Sequence, residues 1–137
     1  MNEIPLRVRD YMTQDLVTIP PDTEIAQAVH LLIEHDVSGL LVTDGAGGIS
    51  GVFTERDCIA VAVEAGYYEQ WGGPVTNFMS TPVETVAPDD NLIDVATRMA
   101  TSPHRRFPVV DGGELVGLLS RRDVLRAIEQ GSWSKQS

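Results

Sequence analysis

Two short motifs carry most of the chemical potential of the chain: Thr54-Glu-Arg-Asp57 and Ser120-Arg-Arg-Asp123, each a hydroxyl followed three residues later by a carboxylate. At the start of a helix such a pair reads in two ways. As a cap, the hydroxyl accepts from a free backbone N–H and the carboxylate closes back on the chain. As a site, the hydroxyl joins the free N–H groups and the positive end of the helix dipole in holding an anion. The ionised Asp one turn later can then accept from two adjacent sugar hydroxyls. The two readings are compatible, because a hydroxyl that caps an empty helix can turn toward an arriving anion. Upstream of the second motif stand Arg105 and Arg106, where the first has Ser38 and Gly39. Guanidinium groups grip phosphate oxygens through paired, charge-assisted bonds, although such a pair can also simply balance nearby acids in solvent.

Other chemistries lack their residues. Catalysis needs a nucleophile with its base, paired acid and base carboxylates, or a metal. Thr54 has Asp57 nearby but no His placed by the sequence, Cys58 falls in an apolar run, and the glycine-rich turns match neither a P-loop nor a dinucleotide fingerprint. No enzyme and no catalytic residue are expected. His30 and His35, five residues apart, lack a second ligand cluster, and His104 beside the arginines reads as a neutral surface group, so no metal is expected. Cys58 is the only cysteine, which excludes an internal disulfide and a zinc site built of several thiolates.

Composition narrows the partners. The chain has 137 residues, is 42% apolar and carries a formal charge of −10, as suits a globular protein and not one built to bind nucleic acid or an anionic membrane. Its apolar runs, such as Ile59 to Val63, fall far short of the roughly 20 residues that cross a bilayer. The first ten residues lack the apolar core of a secretory signal, so cytoplasmic residence is expected.

The elements that position the motifs recur, because the chain is one pattern written twice. A shift of 67 residues pairs Met12 with Met79, Thr13 with Ser80, Thr18 with Thr85, Pro21 with Pro88, Asp22 with Asp89, Val42 with Val109 and Asp44 with Asp111. In each copy a Pro-Asp entry, with Asp22 or Thr23 and Asp89 or Asp90 as candidate caps, precedes a helix. Its expected inner faces are Ile25, Ala28, Val29, Leu32 and Ile33, then Leu92, Val95, Ala96 and Met99. A hairpin follows, Leu40–Thr43 with Ile49–Phe53 or Phe107–Val110 with Leu115–Leu119, and then a helix opened by the motif. The expected division is residues 1–66 and 67–137, with Gly66–Gly73 as the connection. Its Tyr67, Tyr68 and Trp71 would cover a core edge or a subunit contact. Each copy alone is too small to bury much surface, so the two should pack side by side.

The chain resembles a tandem pair of cystathionine β-synthase (CBS) domains, the arrangement called a Bateman module. The resemblance spans roughly Val8 to Ile128. It rests on the Met-Thr or Met-Ser opening, the Pro-Asp helix entry, the strand ending in Asp44 or Asp111, and the closing Gly-x-x-Thr/Ser-x-x-Asp, all present twice in order. It implies an α/β (α+β) fold of two βαββα repeats packed with pseudo-twofold symmetry, with two clefts that in relatives bind AMP, ADP, ATP or S-adenosylmethionine. No cofactor is implied beyond such a regulatory ligand. The resemblance also implies that Val17, Thr18, Val37, Ser38 and Gly39 border the ligand of Ser120, Asp123, Arg105 and Arg106. Glu84 and Thr85 would stand beside Thr54 and Asp57, with Glu84 repelling phosphate there. The Ser120/Asp123 cleft is then the better candidate. A stand-alone sensor, homodimeric and read by a protein partner, is the expected function; a homodimeric scaffold with vestigial clefts is the alternative.

Overall fold

A computed structural model describes residues 6–68 and 72–130. It contains four α-helices and two small sheets, an α+β architecture in which the pattern β-α-β-β-α is laid down and then repeated with a reduced first strand.

In the first repeat, β1 (Thr18–Ile19) lies parallel to β2 (Gly39–Thr43), whose other edge pairs antiparallel with β3 (Ile49–Thr54). The turn between β2 and β3 is closed by the Asp44 carboxylate, which accepts from the N–H groups of Ala46 (2.8 Å) and Gly48 (3.0 Å). Such a carboxylate stands in for a backbone turn. Helix α1 (Ile25–Glu34) buries Ile25, Ala28 and Leu32, one face of a helical period. Ile33, expected to share that face, is instead 75% exposed. Helix α2 (Glu55–Tyr68) follows β3 without a linker. The core gathers Ile19, Ile25, Leu32, Leu40, Val42, Phe53, Val61 and Val75.

In the second repeat the opening strand contracts to one parallel bridge between Val86 and Val109. Helix α3 (Leu92–Thr101), the hairpin of β4 (Arg106–Asp111) with β5 (Glu114–Ser120), and α4 (Arg121–Glu129) complete it. Its core is Val86, Leu92, Val95, Met99, Phe107, Val109 and Leu119.

The helix entries differ from expectation in an instructive way. Neither Asp22 nor Thr23 caps α1: the N-cap is Glu24 without a side-chain bond, and the Ile25 N–H donates to the Gly73 carbonyl (2.9 Å). Asp90 accepts from the Ala87 N–H, while α3 is capped by Asn91, which accepts from the N–H groups of Ile93 and Asp94. The Leu92 N–H donates to the Leu6 carbonyl (2.9 Å), the mirror of the Gly73 bond. A carbonyl from the segment that precedes the other repeat thus satisfies the first N–H of each helix.

That exchange defines the compact units. One is Val17–Val83; the other joins Met1–Leu16 to Glu84–Ser137. The sequence repeat divides near residue 66, whereas the packing divides at 16/17 and 83/84, because each repeat's Met-Thr or Met-Ser opening docks on the other repeat's hairpin. Ser80 bridges Val52, and Thr13 bridges Leu118. The side chains of Tyr67, Tyr68 and Trp71 lie outside the described residues.

The docking explains the glycine of each closing motif. A Cβ on Gly117 would stand 2.6 Å from Met12 Sδ and 3.2 Å from the Thr13 carbonyl; one on Gly51 would stand 2.7 Å from Met79 Sδ. Gly117→Ala is expected to destabilise the fold by about 1–3 kcal/mol, the usual cost of overpacking, read as a lower urea midpoint.

Candidate functional site

Each hairpin ends by presenting its motif. Thr54, last residue of β3, pairs with Gly39, and the first N–H of α2, from Glu55, donates to the Ser38 carbonyl (3.0 Å). Ser120 likewise pairs with Arg106, and the Arg121 N–H donates to the Arg105 carbonyl (3.1 Å). Directly opposed residues on neighbouring strands bring their side-chain roots within about 5 Å. The structure therefore brings together Ser38, Gly39, Thr54 and Asp57 in one unit, and Arg105, Arg106, Ser120 and Asp123 in the other.

The remaining expected residues group by repeat. The Val17 carbonyl accepts from the Leu41 N–H (3.2 Å) and Thr18 pairs with Leu41, while Val37 packs on the same core, all in the unit of Thr54 and Asp57. Thr85 lies in the unit of Ser120 and Asp123, its carbonyl accepting from Arg98 (3.4 Å). Glu84 is there too, ion-paired with Arg98 at 3.0 Å and accepting from Ser102, so its charge is already answered.

Both motifs close as caps, and both carboxylates have further partners. Asp57 accepts from the Thr54 N–H (2.9 Å), from the Thr54 hydroxyl (3.0 Å) and, at 3.2 Å to each oxygen, from the Ser80 hydroxyl. Asp123 accepts from the Ser120 N–H (2.8 Å), and its own N–H donates to the Ser120 hydroxyl (3.2 Å) in a complete capping box. Its other oxygen is held by the Arg126 guanidinium. Arg126 also donates to the Tyr11 carbonyl (3.2 Å), and the Tyr11 hydroxyl bonds to Gln130 (3.1 Å). Asp123 is buried, the one charged residue among the described ones that is, whereas Asp57 is half-buried.

Ser80, Tyr11 and Arg126 were not among the residues the sequence singled out for this role. Ser80 carries a signal, being the hydroxyl that recurs one period from Thr13. Arg126 carries one too: the residue three past the motif Asp is Ala60 in the first copy and Arg126 in the second.

Cys58 adjoins Asp57. Burial, then the charges of Asp57 and Glu55, push its thiol from 9.0 up to about 11. The unfolded chain therefore ionises first, so stability is intact below pH 9.0 and falls as pH rises toward about 11. Thermal melts across that window should decline less steeply for Cys58→Ser than for the natural protein; parallel curves would show that the thiol contributes nothing.

Among the described residues no group of His, Cys, Asp and Glu could hold a metal ion, and no helix is long and apolar enough to cross a membrane.

Two small α+β units, each closing its hairpin with a hydroxyl–carboxylate pair at a helix entry, define a tandem-repeat module. The chain belongs to the CBS-domain family: the CBS domain model matches residues 8–64 and again 75–130. Among curated relatives, the CBS domain-containing protein YhcV of Bacillus subtilis is 32% identical over 117 residues, covering 85% of this chain and 81% of its own. The chloroplastic CBSX2 of Arabidopsis thaliana is 31% identical over 162 residues, covering 94% of this chain and 68% of its own. The crystal structure of CBSX2 in complex with AMP is 33% identical with a TM-score of 0.83, covering 93% of this chain and 98% of that one. The CBS-domain protein ATU1752 of Agrobacterium tumefaciens is 27% identical with a TM-score of 0.79, covering 93% and 97%.

Proposed function

We propose that the chain is a non-catalytic regulatory module that binds an adenosine-containing ligand at its hydroxyl–carboxylate motifs and passes the change to a protein partner. The observation that carries the reading is the arrangement built at the end of each hairpin. A hydroxyl and a carboxylate meet there at the positive end of a helix, beside Ser38 and Gly39 in one unit and Arg105 and Arg106 in the other. These groups match a sugar diol and a phosphate. A relative, CBSX2, was solved in complex with AMP. In this reading the carboxylates take the ribose, Thr54 and Ser120 face phosphate, and Arg105 and Arg106 add charge for it. Ligand shifts the packing only as far as its affinities for two geometries differ.

Calorimetric titration of AMP, ADP, ATP and S-adenosylmethionine tests the proposal. Saturable binding of any of the four supports the reading, and no binding of any at millimolar concentration overturns it.

A second reading is favoured by one observation: Ile33, Ile59, Val63, Leu125 and Ile128 are large apolar side chains left exposed on helices. Leu125 also lines a depression of about 410 Å³, together with Ala96, Met99, Ala100, Arg121 and Val124. A second copy of the chain would cover such faces, giving a homodimeric scaffold. If sedimentation shows a dimer while none of the four ligands binds at millimolar concentration, the scaffold reading replaces the sensor.

A further inference from the structure

Building on the nucleotide-binding reading, we infer that Arg126 withholds Asp123 from the ligand, so that the sugar is taken at the Thr54–Asp57–Ser80 group. The two motifs agree in residue class and differ in wiring. Among the described residues every side chain on the Asp57 carboxylate is neutral: the Thr54 hydroxyl at 3.0 Å and the Ser80 hydroxyl at 3.2 Å, beside one backbone N–H. A ribose diol brings the same kind of donor. It can replace those hydroxyls one for one without stripping a charge from its partner, and the released hydroxyls are free to turn toward ligand oxygens.

Asp123 offers no such exchange. Its side chain is only 6% exposed, one oxygen accepts from Ser120 and the other is ion-paired with Arg126. The guanidinium is held from behind by the Tyr11 carbonyl, and Tyr11 is itself tied to Gln130. A sugar hydroxyl would have to displace a charge-assisted bond at a nearly dry carboxylate, and a neutral donor forms a weaker bond than the one lost. The corresponding residue of α2 is Ala60, which has no charge to bring to Asp57. This reverses the preference for Ser120 and Asp123 that Arg105 and Arg106 suggest from sequence.

Calorimetry with AMP on the full chain tests the inference. The natural protein should bind one AMP per chain, and Asp57→Asn should weaken it at least tenfold. Arg126→Gln, which keeps the stem and an amide donor for Tyr11, should raise the stoichiometry to two, and Asp57→Asn combined with Arg126→Gln should bind one. The reciprocal variant Ala60→Arg changes an exposed helix position and should weaken AMP at least tenfold by supplying Asp57 with the same latch. Binding that survives Asp57→Asn unchanged, a stoichiometry that stays at one in Arg126→Gln, or an Ala60→Arg variant of natural affinity overturns the inference while leaving the nucleotide reading in place. Absence of AMP binding in the natural protein and in Arg126→Gln alike overturns both.

Discussion

Phe107→Ala is expected to lower the unfolding free energy by about 3–5 kcal/mol, the range for emptying a buried aromatic site. The ring is fully buried among Val86, Leu92, Val95, Met99, Val109 and Leu119, and the Arg98 guanidinium lies 5.5 Å from its centre. The site cannot collapse easily, because Phe107 belongs to β4 and is registered against Leu119 of β5, and the ladder fixes both backbones. The loss is read from urea unfolding followed by circular dichroism. Phe107→Leu, which keeps most of the volume, should cost less than half as much. A loss below about 1 kcal/mol for the alanine variant would mean that the ring is not in a close-packed core.

Asp123→Ala should cost about 2 kcal/mol. The variant loses the carboxylate half of the α4 capping box, about 1 kcal/mol by itself, and removes the partner of Arg126. That second contribution is modest because the guanidinium is 48% exposed and water takes over much of its solvation. Asp57→Ala should cost about half as much, since its lost partners are neutral hydroxyls and a backbone N–H at a half-buried position. Asp123→Asn should recover part of the loss, because an amide oxygen still caps. Equal losses at Asp57 and Asp123 would show that Arg126 contributes nothing. The pattern separates a carboxylate that holds its own helix from one with capacity to spare.

Much of this arrangement is legible in the order of residues. Short apolar runs flanked by glycine turns mark both hairpins and helical spacing marks all four helices; the runs are legible because Leu40, Leu41 and Val42, like Phe107, Pro108 and Val109, are buried in succession in their strands. The closing motifs stood out since a hydroxyl and a carboxylate three apart have few uses at a helix entry. What escaped was set by contacts distant along the chain. Asp22 and Asp89 look like caps, yet α1 and α3 take carbonyls from Gly73 and Leu6, an option no local pattern signals. Ile33 fits the inner face by spacing, but a ten-residue helix resting on a narrow sheet buries only the stripe of Ile25, Ala28 and Leu32. Arg126 sat in plain view as one more exposed helix cation. Its place three past Asp123, where the first copy has Ala60, gains meaning only with the ion pair it makes to that buried carboxylate.

The crosswise docking of Met12 and Met79 bears on how such a chain can be dissected. An isolated stretch 1–66 would keep the Gly51 hairpin but lose Met79 and the Gly73 carbonyl, leaving an apolar trough and an orphaned amide at the mouth of α1. Val17–Val83 carries all of these on one fragment. A protease that nicks the connection near residue 70 would still leave each fragment lending the other an essential ribbon, so the pieces would stay threaded together until denaturant parts them.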